Sequence, residues 1–233
     1  SPTPTLISPS TDSTSSQQAG SGSPPSASTT PENTPTPTPT PSPENTTVQK
    51  VLVGEIQISG QDAGDEFIEL YNLGSSEVDM SEWSIQYLSN TASTSDPVSK
   101  KNFETNSKIP PKGFFLIARN KNSQGKDGYT GTKTPDLTHR SFSLSGSAPG
   151  AKIFLVNNQE KISGFDDSNI IDKVDYGNLI PPSGQSFERK SKLTESCASA
   201  QDGNEFKGNG CDTDNEQNDF EIRSQPNPQN TQS

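Results

Sequence analysis

Histidine, tryptophan and methionine each occur once in these 233 residues, and cysteine twice. Every Cys-His or Ser-His-Asp site would therefore have to use His139, which lies in a Gly/Thr-rich stretch read as a loop, and no G-x-S-x-G elbow is present. The Gly-rich run from Gly125 to Gly131 lacks the strand-then-helix setting of a phosphate loop. No window holds a 3.6-residue apolar period, so helical bundles and coiled-coil rods are excluded. No apolar run approaches the ~20 residues of a membrane span, and the numbering opens at Ser1 without Met, so any signal peptide or anchor is expected outside this sequence. A net charge of −11 disfavours nucleic acid as a partner. Inventory alone points away from an enzyme.

Apolar residues make up only 25% of the chain and mean hydropathy is −0.85, which implies that a large part builds no core. That part is residues 1–47, with 23 Ser or Thr, 11 of the 20 Pro, no Lys or Arg and no aromatic residue. Such a segment cannot bury enough surface to offset its chain entropy, and is expected to be a disordered linker or stalk. Thr34 to Pro43 alternates Thr or Ser with Pro, which favours polyproline II at about 3.1 Å per residue. Asn45-Thr46-Thr47 matches an N-glycosylation acceptor, and the tract's Ser and Thr could carry O-linked sugars. The remaining residues, 48–233, suffice for one domain with a sizeable core.

Within that domain, Val51 to Leu88 contains three strand-like runs and the only Trp. Ile68 and Leu70 alternate with Phe67, Glu69 and Tyr71, a period of two, and Trp83, Ile85 and Tyr87 repeat it. Phe114 to Ala118 is continuously apolar, as expected of a central strand covered on both faces. Lys100 to Phe103, Ala151 to Asn157, Ile170 to Tyr176 and Gln185 to Arg189 complete the strand set, with Asn120 to Arg140 a long loop. Many short strands separated by Gly, Pro and Asn turns predict an all-β sandwich.

Three groups invite a chemical reading. Cys197 and Cys211 flank a Gly/Asn-rich loop in a region poor in apolar residues, where a disulfide closing about 15 residues would contribute roughly 3 kcal/mol. The alternative is two unpaired thiols in a reducing compartment. Asp212, Asp214 and Asp219 offer closely spaced hard oxygens of the kind Ca²⁺ prefers, but the loop is no EF-hand, since Gln217 stands where Gly is needed and Arg223 where Glu is needed. An Asx-turn network is the favoured reading there, and no other cofactor is expected. Glu55 and Glu69, on adjacent antiparallel strands, could form a glycosidase-like pair, although carboxylates on a solvated sheet face are the commoner case.

The succession GEIQISG, DEFIELYN, VDMSEWSIQ, IPPKGFFLIA, VDYGN and SFERK, followed by the cysteine pair, DTDN, NDF and PNPQN, resembles the lamin tail domain family over about Val51 to Asn230. The resemblance implies an immunoglobulin-like β-sandwich of the type found in bacterial secreted and surface proteins. It also supports a structural role for DTDN. The function it implies is a non-catalytic attachment or interaction module, here displayed on a flexible stalk in an extracellular or cell-surface setting. The alternatives are an accessory domain of a larger secreted enzyme such as a nuclease, or a structural subunit of a surface layer or filament.

Charge is unevenly spread. Ser99 to Arg140 holds nine Lys or Arg against three acids. Lys100, Lys101, Arg119, Lys121, Lys126, Lys133 and Arg140 form a candidate binding surface for a cell-envelope polyanion or a protein. Self-association through the acidic region Asp202 to Glu221 of a neighbouring copy is the other expectation.

Overall fold

The computed structural model describes residues 50–92, 98–177, 179–192, 196–199 and 209–233. The Ser/Thr/Pro arm and most of the loop between the cysteines lie outside the described residues.

Two sheets face one another. The larger runs in the order β14-β11-β1-β2-β7-β8, built from β1 (Val51–Gln57), β2 (Phe67–Asn72), β7 (Phe114–Arg119), β8 (Leu137–His139), β11 (Ser186–Arg189) and β14 (Phe220–Arg223). All its pairings are antiparallel except β7 with β8. The smaller sheet runs β10-β9-β4-β5, from β4 (Ser84–Ser89), β5 (Ser99–Asn102), β9 (Ala151–Val156) and β10 (Ile170–Asp175). Two short ribbons complete it, β3 (Val78–Asp79) with β6 (Lys108–Ile109) and β12 (Ser191–Lys192) with β13 (Cys197–Ala198). A single turn of helix, α1 (Glu216–Asp219), precedes β14.

Alternation decides which side chains enter the core. Ile68 and Leu70 of β2, Phe115 and Ile117 of β7, Ile85 of β4, and Ile153 and Leu155 of β9 meet between the sheets, with Trp83 at 9% exposure among them. The opposite face of β7 is also covered, as its continuous apolar run predicts: Leu116 and Ala118 pack with Phe67 and Tyr129. The outer face of the smaller sheet buries Phe154 and Val156 against Ile162 and Phe165 from the loop after β9 and Ile170 at the start of β10.

β1 breaks its own alternation. Its core residues are Val51 and Val53, then Ile56, because the register slips between Val53 and Glu55 and leaves Gly54 as the extra residue of a bulge. Pairing of β1 with β11 reaches only to Glu55. Beyond it the backbone of Val53 is satisfied by side chains instead: its N–H donates to Asp172 Oδ2 at 2.7 Å and its carbonyl accepts from Arg189 Nε at 2.7 Å. Arg189 also donates to Asp172 at 2.9 Å and to the Cys211 carbonyl at 2.8 Å, and lies over the Phe220 ring at 4.6 Å. At 2% exposure this guanidinium joins β1, β10, β14 and the disulfide segment. A buried ion pair of this kind is destabilising to break, because the abandoned partner stays buried.

Candidate functional site

The cysteines form the expected bridge, Cys197 to Cys211, with Cα atoms 5.4 Å apart. The acidic loop behind it sends its three aspartates to three places. Asp219 is buried and accepts from the Thr213 N–H at 2.8 Å and the Thr213 hydroxyl at 2.7 Å. Asp212 pairs with Lys50 and lies 3.6 Å from Arg189. Asp214 takes a left-handed conformation, φ 57°, and faces an open hollow with Asp175, Asn215 and Glu216. Asn215 caps α1, its side chain accepting from the N–H groups of Gln217 and Asn218. Among the described residues, the one set of three metal-capable side chains within mutual reach is Cys197, Cys211 and Asp219, whose sulfurs are already joined.

The candidate basic residues divide. Lys100 and Lys101 lie on β5, an edge of the smaller sheet, and Arg119 ends β7 in the larger one. Lys101 is paired with Glu104 at 3.1 Å, and Lys100 donates to the Gln159 carbonyl. Arg119 and Arg140 converge on one carboxylate, Asp127, at 3.7 and 2.7 Å, and Arg140 holds it below the usual carboxylate range. Lys121 and Lys126, in the loop between them, are exposed. Lys133 stands apart, donating to Ser233 Oγ at 3.1 Å.

His139 belongs to this edge and corrects the loop reading given above. It is the last residue of β8, 7% exposed, with its ring 4.3 Å from that of Phe142. Burial, then the charges of Arg119 and Lys101, pull its pKa down to about 4, so it is neutral at physiological pH. Phe142 also stacks on Tyr87 of β4 at 5.2 Å, so the two sheets meet beside it.

Glu55 and Glu69 do stand opposite each other in register, but the face that carries them is not solvated. Glu188 of β11 extends the row on the far side of Glu55. The three are 0%, 1% and 5% exposed, taken as Glu55, Glu69 and Glu188. What covers them is the segment 224–233, which crosses the sheet as a strap. Arg223 pairs with Glu188; the N–H of Asn227 donates to Glu55 at 3.3 Å and that of Gln229 to Glu69 at 2.6 Å. Thr231 then donates its N–H at 3.1 Å to Asp136, whose same oxygen accepts from Leu116 of β7 at 2.8 Å. Successive anchors thus fall on β11, β1, β2 and β7, neighbours in the sheet. Pro226 and Pro228, which have no N–H to satisfy, occupy the intervening positions. Glu188, Arg223 and the strap went unnoticed in the sequence, although Ser186 and Glu188 alternate with Phe187 and Arg189, and the PNPQN run leaves N–H donors at every second position.

The fold and its first strands also match known proteins. Residues 44–178, more than half of the chain, match the Lamin Tail Domain family. This chain belongs to that family. The lamin-tail sandwich here continues past the matched residues, since β11 and β14 extend the sheet that β1 begins. Its structure is similar to the crystal structure of a DUF4876 family protein from Bacteroides thetaiotaomicron, with a TM-score of 0.51 and 13% identity over 77% of this chain and 72% of that one. At that identity the likeness is one of fold. No curated protein matches the chain. Among the described residues no helix is long and apolar enough to cross a membrane.

Proposed function

We propose that this lamin-tail chain is a non-catalytic interaction module, held out from a cell envelope by its Ser/Thr/Pro arm and engaging an anionic partner through the edge formed by Arg119, Lys121, Lys126 and Arg140. The observation that carries this reading is exposure: Arg119 and Arg140 are engaged by Asp127, with Asp62 accepting from the Asp127 N–H at 3.1 Å, whereas Lys121 and Lys126 of the same loop are exposed. In a chain of net charge −11 such a local surplus is selective for anions and falls off with salt over a Debye length of about 8 Å at physiological ionic strength. The disulfide supports an oxidising, extracytoplasmic setting. The titratable groups that a catalyst would use are engaged in structure: His139 is buried and neutral, and the paired glutamates lie beneath the strap.

The test is retention on isolated cell envelope, with and without proteinase treatment to separate glycan or teichoic-type polyanions from protein. Retention should weaken as salt rises and should be lost in the double reversal Lys121→Glu/Lys126→Glu. Equal retention of the reversed protein would refute the assignment of this edge. A concentration-dependent mass in sedimentation, lost in the same variant, would move the partner from the envelope to a second copy.

A further inference from the structure

The carboxylate row holds more negative charge than its surroundings balance. Glu188, Glu55 and Glu69 lie side by side on β11, β1 and β2. Among the described residues the one cation paired with them is Arg223 from β14, on Glu188. The other groups that meet them are uncharged donors: Asn209 Nδ2 at 3.4 Å from Glu188, the Ser186 hydroxyl on Glu55, and the strap's N–H groups at Asn227 and Gln229. Tyr129, between β7 and β8, and Asp65, just before β2, flank the row, and burial and then the charges of Asp65, Glu55 and Glu69 raise the phenol's pKa. If every glutamate were ionised, three carboxylates would face one guanidinium in a layer closed to water. A surplus charge in such a layer is costly enough that the group takes up a proton instead. One atom is suited to hold it: Glu55 Oε2 is buried and has no hydrogen-bond partner, while Oε1 accepts from both Ser186 and Asn227.

We propose that the Glu188-Glu55-Glu69 row is a proton-binding site and that segment 224–233 is the latch it holds, seated while the row carries a proton and loosened at Asn227 and Gln229 when the proton leaves. Burial, reinforced by Glu188, pushes Glu55 up to about 7, and burial with Glu55 beside it pushes Glu69 well above the usual range; the N–H bonds from Asn227 and Gln229 favour the ionised forms, but burial is the larger effect, so ionisation is relieved by water entering as the strap lifts. The middle of the strap is the part that responds: its far end is held by Asn230 on the Thr134 carbonyl at 2.9 Å and by Thr231 on Asp136, whereas the stretch between Arg223 and Asn230 has fewer holds. Its apolar side chains are Pro226 and Pro228 alone, and its anchors across β1 and β2 are these two carboxylates. The strands beneath it are locked by the core and by their ladders, so the strap belongs at the low end of local stability.

The experiment is hydrogen exchange on the full chain, corrected for the intrinsic pH dependence of amide exchange, at about pH 5.5 and about pH 8.5, on either side of the proton's expected release. Protection at Asn227 and Gln229 should fall by about tenfold for each pH unit above 7, while β1 and β2 amides keep theirs. Glu55→Gln, which removes one charge without changing shape, should flatten that fall. Infrared spectra of the wild type and of Glu66→Gln, which silences the other carboxyl raised to about 7, should both show a protonated carboxyl band that disappears over the same interval. The proposal is overturned if strap protection is the same at both pH values, if no protonated carboxyl is present at the lower one, or if Glu55→Gln follows the wild-type course. Restoration of strap protection at the higher pH by millimolar Ca²⁺ would make the row a metal site and equally overturn the proton assignment.

Discussion

The carboxylate row in the middle of the six-stranded sheet and the basic edge beside its β7–β8 margin treat charge in opposite ways. Glutamates in the middle of the sheet are buried under the strap, and their environment changes their chemistry: burial raises their pKa, so they contribute to stability only while protonated. At the β7–β8 margin, Lys121 and Lys126 are exposed and contribute little to stability, so what they offer is a field that a partner can use. The difference is one of covering rather than of residue type. A charge that a later segment encloses becomes structural, and one left at a sheet margin stays available for recognition.

The strongest challenge to the structural side is Arg189→Met. Removing the guanidinium leaves Asp172 buried with no counter-charge, and should lower unfolding stability by about 3 to 5 kcal/mol in denaturant titrations. A loss under 1 kcal/mol would show that the clamp around Val53 is dispensable. Next in size is the disulfide: Cys197→Ser should cost about 2 to 4 kcal/mol, and free-thiol labelling of the unfolded, unreduced wild type should find no thiol.

How much of this was legible beforehand depends on how far away the covering residues lie. β2 and β7 announce themselves by alternation and by a continuous apolar run, because their packing partners are strands of the same kind. β1 is less plain, since the bulge at Gly54 shifts its core positions from Val51 and Val53 to Ile56. The burial of Glu69 could not be read at all, because the amide that meets it comes from Gln229, 160 residues on, in a run with no apolar period. His139 looked like a loop residue because β8 is only three residues long and follows a long irregular connection from β7, with which it pairs in parallel. In the acidic loop the cap that Asn215 places on α1 is local and follows from residue type, whereas the links from Asp212 to Lys50 and Arg189 are long-range.

A pH series sharpens the comparison further. Glu55 and Glu66 have folded pKa values raised by burial to about 7 from 4.5, so the folded state binds more protons than the unfolded state between those values. Their contribution is complete below about 4.5 and is lost as pH rises through 7. The melting temperature should therefore be higher at about pH 5.5 than at about pH 8, and Glu66→Gln, which lies away from the strap and bonds Ser143 and Leu144, should reduce that slope without changing strap exchange. The smallest effect is expected at the basic edge, where Lys121→Glu/Lys126→Glu should change stability by no more than about 0.5 kcal/mol. A larger loss would mean that these lysines belong to the fold.

One side-by-side measurement addresses the division most directly: salt-dependent retention on isolated cell envelope for the wild type, Lys121→Glu/Lys126→Glu and Glu55→Gln, all at one pH. Retention of the wild type and of Glu55→Gln alike, with loss in the lysine reversal, is the predicted result. Retention that survives the lysine reversal, or that Glu55→Gln abolishes, would contradict the claim that the edge recognises and the covered row stabilises.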